Sequence, residues 1–335
     1  MAKVSIVVPI YNVEKYLPKC LDSLINQTFN DIEILAISDG SPDNSVEIIK
    51  KYQKKDNRVK CIEKENGGYG SVLEYAIKNI KSEYFLICDP DDWLRLDAIE
   101  ILYDTAKKNK LDFVYGSYYY VYSNDLKEEY TSGVCFENIY SPKNNEIIEQ
   151  DIFKLLFLAP NPHAKLYKTD LAKNIVFPHK VSFTDFTLYA LFIPKVKKAA
   201  YLTEGLAYYL IDRVGNTTTD VKPKVIDYHC TVFESIWNQY SDYDNKNNMF
   251  YLRMFLQCIF INNQLARITN KDDYLTQRKK VYNLFLKCHE HKKEIISCLD
   301  LFSRKEKIQY KLLLNRMSSY IAFLYFSKKL WKNNK

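Results

Sequence analysis

Apolar residues along the first 122 positions switch repeatedly between two periods. Val4–Val8 is a β-branched run of strand type, and Leu17, Leu21, Leu24 and Ile25 follow at helical spacing. Ile32–Ile37 predicts a second buried strand. Ser41-Pro42-Asp43 reads as the start of the next helix, with proline near its first turn. Val59–Ile62, Tyr84–Cys88 and Phe113–Tyr122 predict further strands, separated by helices over 71–80 and 94–109. Strands alternating with helices imply an α/β fold, with a mostly parallel central sheet flanked by helices on both faces. Ligands of such sheets bind beyond the carboxyl ends of the strands. Tyr11-Asn12, Asp39-Gly40 and Asp89-Pro-Asp91-Asp92 all fall there.

From about residue 123 to 150 the pattern gives way to a polar connection rich in Asn, Ser and Glu. Residues 151–220 read as mixed, with short strands near Ala200–Leu202 and Leu206–Leu210. Beyond about 222 the spacing is helical through 229–240, 249–266 and 274–288. The predicted organisation is an α/β unit over 1–220 and a mainly α-helical region over 221–335. A chain of 335 residues, 47% hydrophobic, is long enough to bury both. No apolar run approaches the ~20 residues of a membrane span, and Met1-Ala-Lys-Val leads directly into a strand. A cytoplasmic protein is therefore predicted, its eight cysteines reduced and without a C-x-x-C pair. Cys288-His-Glu-His291 with Cys298 matches no common zinc spacing and reads as ordinary helix.

Charge divides the chain in the same place. Residues 1–220 hold 27 Lys/Arg against 31 Asp/Glu, and residues 221–335 hold 21 against 10. Within the last third, residues 304–335 carry nine Lys/Arg and one Glu among Leu312, Met317, Tyr320, Ile321, Phe323, Phe326 and Trp331. A basic segment with aromatic faces fits the inner, anionic face of a cell membrane as a peripheral partner. It fits equally a helix packed on the rest of the chain or on a second subunit in a homodimer. No recognised nucleic-acid module accompanies it, so no nucleic-acid partner is predicted.

The candidate chemistry sits at the strand ends. Asp89 and Asp91, two apart after a strand, point to roughly the same side and suit a hard divalent cation; a solvated turn with Asp92 capping the next helix fits as well. Asp39 is an acceptor-only carboxylate matched to the imide N–H of uracil, or a turn aspartate. Asn66-Gly-Gly-Tyr-Gly70 lacks the third glycine of the dinucleotide fingerprint, and suits either close backbone approach to a ligand or simple helix initiation. Asp185, at a helix start among aromatics, is a candidate general base or an N-cap. Arg213 offers a planar fork for a diphosphate, and His163 a pocket wall; both residue types are also common in purely structural roles.

Taken in order, these segments resemble the family 2 inverting glycosyltransferases over roughly residues 3–220. Val4-Ser-Ile-Val-Val-Pro-Ile-Tyr-Asn12 is similar to the family's opening strand and first nucleotide loop, which implies donor contacts at Pro9 and Tyr11. Ser38-Asp-Gly-Ser-Pro-Asp43 resembles the segment whose aspartate, here Asp39, contacts the base, and Asn66-Gly67-Gly68 the family's Asn-Gly-Gly loop. Asp89-Pro-Asp91 resembles the D-x-D motif, with Asp91 and Asp89 as ligands of Mn2+ or Mg2+. Lys165-Leu-Tyr167 looks like an acceptor-half segment, placing His163 and Lys165 on the acceptor side. Asp185 falls at the base and Arg213 in the loop over the diphosphate. The resemblance implies a GT-A, Rossmann-like fold and inverting transfer from a nucleotide sugar, UDP-linked in the first instance. The acceptor would be a hydroxyl of a glycan, lipid-linked or protein-linked molecule, in the manner of bacterial polysaccharide synthesis. Ser38, Leu73 and Thr184 depart from the pattern, and they support the alternative of a catalytically weak nucleotide-binding scaffold.

Overall fold

The computed structural model describes residues 2–212, 223–315 and 318–325. Its strands are β1 (Val4–Ile10), β2 (Ile32–Asp39), β3 (Val59–Lys64), β4 (Tyr84–Ile87), β5 (Trp93–Leu94), β6 (Phe113–Tyr122), β7 (Glu128–Thr131), β8 (Glu146–Ile148), β9 (Lys165–Lys168) and β10 (Ala199–Ile211). Its helices are α1 (Leu17–Ile25), α2 (Ser45–Lys55), α3 (Tyr69–Asn79), α4 (Ala98–Asn109), α5 (Thr169–Ala172), α6 (Asp185–Phe192), α7 (Pro223–Tyr240), α8 (Asn248–Leu265), α9 (Lys271–Glu290), α10 (Lys292–Ser297) and α11 (Arg304–Leu313). Residues 319–325 are helical as well.

One sheet runs in the order β3-β2-β1-β4-β9-β6-β10-β5, with β7 on β6 and β8 on β10. The half formed by β3, β2, β1 and β4 is wholly parallel, as the alternation of elements predicts. The other half is mixed: β9 enters between β4 and β6 antiparallel to both, while β6 and β10 pair in parallel. Every residue of β1 is buried, because both faces of the sheet are covered. On one face Val4, Ile6, Val8 and Ile10 pack with α1, α2 and α4. On the other, Val7, Leu35 and Phe85 join a second core that continues through α3 and α6 into α7, α8 and α9. The helical region is therefore packed onto the sheet through a common apolar core.

The two short strands predicted near 200–210 form one strand, β10, whose pairing with β6 shifts at Gly205. A side chain there would collide with the Tyr119 ring, 2.1 Å from an ideal Cβ, so glycine permits the irregularity. The polar connection at 123–150 holds β7 and β8. Three of the four β7 residues are exposed, which removes the alternation that would have marked it. The carboxyl ends of β1, β2, β3 and β4 lie side by side, and the candidate chemistry collects there.

Candidate active site

The acidic turn after β4 is divided by burial. Asp89 lies on a cavity wall and accepts a hydrogen bond from the Tyr69 phenol, 2.7 Å away. Tyr69 is at the first turn of α3. Burial raises its pKa first, and the charges of Asp89 and Asp185 raise it further, so it stays a donor. Asp91 lines the same cavity. Asp92 turns inward instead. Its Oδ1 accepts the Leu210 N–H at 2.8 Å, and its Oδ2 lies 3.2 Å from His163 Nδ1. Burial, then the charges of Asp91 and Asp89, push the Asp92 carboxyl up, while burial followed by the Lys165 charge pushes the His163 imidazole down. Both shifts favour an uncharged pair, satisfied when Asp92 donates to an unprotonated Nδ1. The expected cap role of Asp92 is thus replaced by an internal one; the N-cap of α4 is Asp97.

The ligating atoms of Asp89, Asp92 and His163 lie within 4.8 Å of one another. Asp92 and His163 are taken up by each other, and the carboxylates left on the cavity wall, Asp89 and Asp91, are oxygen donors of the kind that fits a hard divalent ion. The zinc-like spacing at 288–298 is put to other uses. Cys288 faces Cys258 in the core, with sulfurs 3.8 Å apart, and His291 stacks on Tyr251 at 3.7 Å.

Asp39 closes β2 and organises the loop beside it. Its Oδ1 accepts from Lys64 Nζ and from the Gly67 N–H at 2.9 Å, and its Oδ2 from the Gly68 N–H at 2.7 Å. The Asn66 amide donates to the Asp39 carbonyl at 2.9 Å. A carboxylate offers about four lone-pair positions. Three are thus filled from within, and Asp39 is first of all the anchor of the Asn66-Gly67-Gly68 loop. Gly68 has φ +82, and an added Cβ would stand 2.9 Å from Lys180 N. The segment at 178–182 therefore lies directly over this loop, tied by Lys180 N–H to Gly67 O.

Asp185 is the first residue of α6 and lies deep in the cavity wall. Burial raises its pKa to about 6, opposed by the backbone N–H of Phe186 and the nearby charge of Lys165. Phe183, just before it, holds φ +67 and stacks on His229 of α7 at 4.1 Å, so the helical region braces the segment that presents Asp185.

Pro9, Tyr11, Asp89, Asp91, His163 and Asp185 line one cavity of about 300 Å³. Asp39, Asn66 and Gly68 line a neighbouring one of about 670 Å³, together with Lys180 and Lys224. The two share Pro9, Tyr11, Tyr69 and Ser182, and so form one groove along the strand ends. Among the expected residues Gly67 lines neither cavity, and nor does Lys165. Lys165 is fully buried on β9, its ammonium bonded to the Asn161 and His163 carbonyls and the Asn161 side chain, and held over the Tyr115 ring at 4.2 Å. It supports the cavity wall at Asn161 and His163 from beneath and does not line it. Arg213 lies outside the described residues. The three departures have local causes. Leu73 is part of the core, and Thr184 is buried with its methyl 3.1 Å from where a Cβ on Gly70 would be. Ser38 accepts the Ser41 N–H at 3.3 Å.

The family model described as glycosyl transferase family 2 matches residues 5–176, just over half of the chain. The chain belongs to that family. Among its relatives, the glycosyltransferase GlyA of Streptococcus pneumoniae serotype 4 is 32% identical over 247 residues, 65% of this chain and 34% of that protein. A poly(ribitol-phosphate) beta-glucosyltransferase of Bacillus spizizenii is 34% identical over 222 residues, 64% of this chain and 33% of the relative. The chain thus spans about a third of the length of these two. The fold is that of Staphylococcus aureus TarS residues 1–349, crystallised with UDP-GlcNAc, at a TM-score of 0.72 and 18% identity over 99% of this chain and 91% of that one. A mannosyltransferase of Pyrobaculum calidifontis, solved with GDP-Man and Mn2+, shares it more distantly, at a TM-score of 0.54 and 12% identity over 99% and 86%. The family is that of a glycosyl transferase family 2 domain, and the fold is a GT-A-like sheet with a helical C-terminal region.

Proposed function

We propose that this glycosyltransferase moves a sugar from a UDP-linked donor to a hydroxyl of a glycan, lipid-linked or protein-linked acceptor, inverting the anomeric centre. The unit over 1–220 carries the chemistry. One observation supports this above all: a single groove joins the Asp39–Asn66 end to the Asp89–Asp91 end, with half-buried Asp185 in its wall. The UDP-GlcNAc of the TarS crystal supports the UDP-linked donor, and the glucosyltransferase relative supports transfer of a sugar.

Asn66, the Gly67-Gly68 backbone, Pro9 and Tyr11 would receive the nucleoside, with the one acceptor position left on Asp39 available to the base. Asp89 and Asp91 would hold Mn2+ or Mg2+, Asp89 being oriented by Tyr69. When bound, such an ion supplies positive charge to the departing diphosphate. Arg213 would add its guanidinium there. Asp185 takes the proton of the acceptor hydroxyl onto a carboxylate oxygen as that hydroxyl bonds to the anomeric carbon. The bond from that carbon to the phosphate oxygen breaks on the opposite side, and UDP leaves with the electron pair. His163 and Asn161, fixed by Lys165, form the acceptor-side wall.

General-base assistance is typically worth about 10²–10⁴-fold. Asp185→Asn is therefore expected to lower kcat by that order while UDP binding, read by titration calorimetry, stays within about twofold. The anomeric configuration of the wild-type product, read from its proton coupling constant, should be opposite to that of the donor. Retention of configuration, or full turnover in Asp185→Asn, would overturn the reading.

A further inference from the structure

The last described helices are apolar on two sides. Tyr310 and Leu313 of α11 face inward, as do Ala322 and Phe323 of the helical residues 319–325, and they join the core around Phe255 and Phe285. Their outer sides are apolar too. Ile308 is 55% exposed and Leu312, four residues on, 42%; Ile321 is 71% exposed and Tyr325, again four residues on, 61%. An inner apolar stripe is explained by the core, whereas a second one at spacing i, i+4 calls for another partner. Arg304, Lys305 and Lys311 are exposed on the same helix as Ile308 and Leu312. Of the nearby acidic groups, Asp300 pairs with Lys307 at 2.8 Å and feels the charge of Lys311 more weakly, and Glu306 closes the capping box with Ser303.

We infer that α11 and the helical residues 319–325 dock this protein on an anionic bilayer surface, with Ile308, Leu312, Ile321 and Tyr325 entering the headgroup region and Arg304, Lys305 and Lys311 meeting anionic lipid. Charge selects this occupant over a second copy of the chain. A two-fold contact brings the same patch of both subunits together and would set these cations against one another. A surface of anionic lipid pairs with them instead, each lysine near it contributing about fivefold in affinity. The sequence beyond, Ser327-Lys-Lys-Leu-Trp-Lys332, has the same basic and aromatic character. The inference does not depend on the transferase chemistry proposed above.

The test is flotation of the full chain with vesicles of phosphatidylglycerol and phosphatidylcholine, against vesicles of phosphatidylcholine alone, at low and high salt. Binding to the anionic vesicles, weakened by salt, is expected. Lys305→Gln with Lys311→Gln should weaken it roughly 30-fold, and Ile308→Asn with Ile321→Asn by about tenfold or more. All four positions are exposed, and an unchanged far-UV circular dichroism spectrum and thermal melt of each variant serve as the folding control. Two outcomes overturn the inference. One is equal partition onto both vesicle types with no effect of the variants. The other is no vesicle binding, together with a concentration-dependent dimer in light scattering that Ile308→Asn with Ile321→Asn dissolves.

Discussion

A carboxylate acts as a base near neutral pH only if its proton is held more tightly than in water, and Asp185 meets that condition by burial. With its pKa raised to about 6, kcat/KM should rise with pH through an apparent pKa near 6 and level off above it, provided the acceptor hydroxyl is the group deprotonated. The same shift is a stability statement. The folded state keeps this proton between about pH 4 and pH 6 while the unfolded chain releases it, so stability falls as pH rises through that window. Asp185→Asn removes the penalty. Thermal melts should show the variant more stable than wild type at pH 7.5, by up to about 3 kcal/mol less what Lys165 loses with its counter-charge, and no more stable at pH 4. A variant destabilised at both pH values would contradict this assignment. Asp185, Asp89 and Asp91 were legible because each sits in a short local motif. Tyr69 and the Asp92–His163 pair were not, because their contacts span 20 and 71 residues and arise only when β4, α3 and β9 come together. Lys165 was placed by resemblance of its segment alone, and only the fold shows carbonyls and an aromatic ring closing around it.

At the scale of elements, the parallel half of the sheet was readable because buried strands and amphipathic helices have distinct periods. The mixed half was readable only at β6 and β10. β9 has four residues, and its insertion between β4 and β6 depends on partners distant in sequence. The loop after β3 and the segment at 178–182 form the element pair on which the groove depends. Gly68→Ala would place a methyl group 2.9 Å from Lys180 N at φ +82. A loss of about 1–3 kcal/mol in denaturant unfolding is expected, with UDP affinity falling in parallel. Unchanged values in both measurements would mean that this segment does not depend on close approach to the loop.

At the scale of the molecule, one core ties the catalytic sheet to the C-terminal helices. His229 of α7 stacks on Phe183, two residues before Asp185, and Lys224 and Tyr228 of the same helix line the groove. Among the described residues no helix is long and apolar enough to cross a membrane, which leaves the exposed stripes of α11 and residues 319–325 as surface features. The account as a whole rests on the groove holding a nucleoside diphosphate across its length, with a divalent ion at the acidic end. Calorimetric titration of UDP into the wild type and Asp91→Asn, each with and without Mn2+, tests that most directly. The wild type should bind UDP with Mn2+ about tenfold or more tightly than without it, and Asp91→Asn should lose that gain. Equal affinity in all four titrations, or no UDP binding in any, would contradict it.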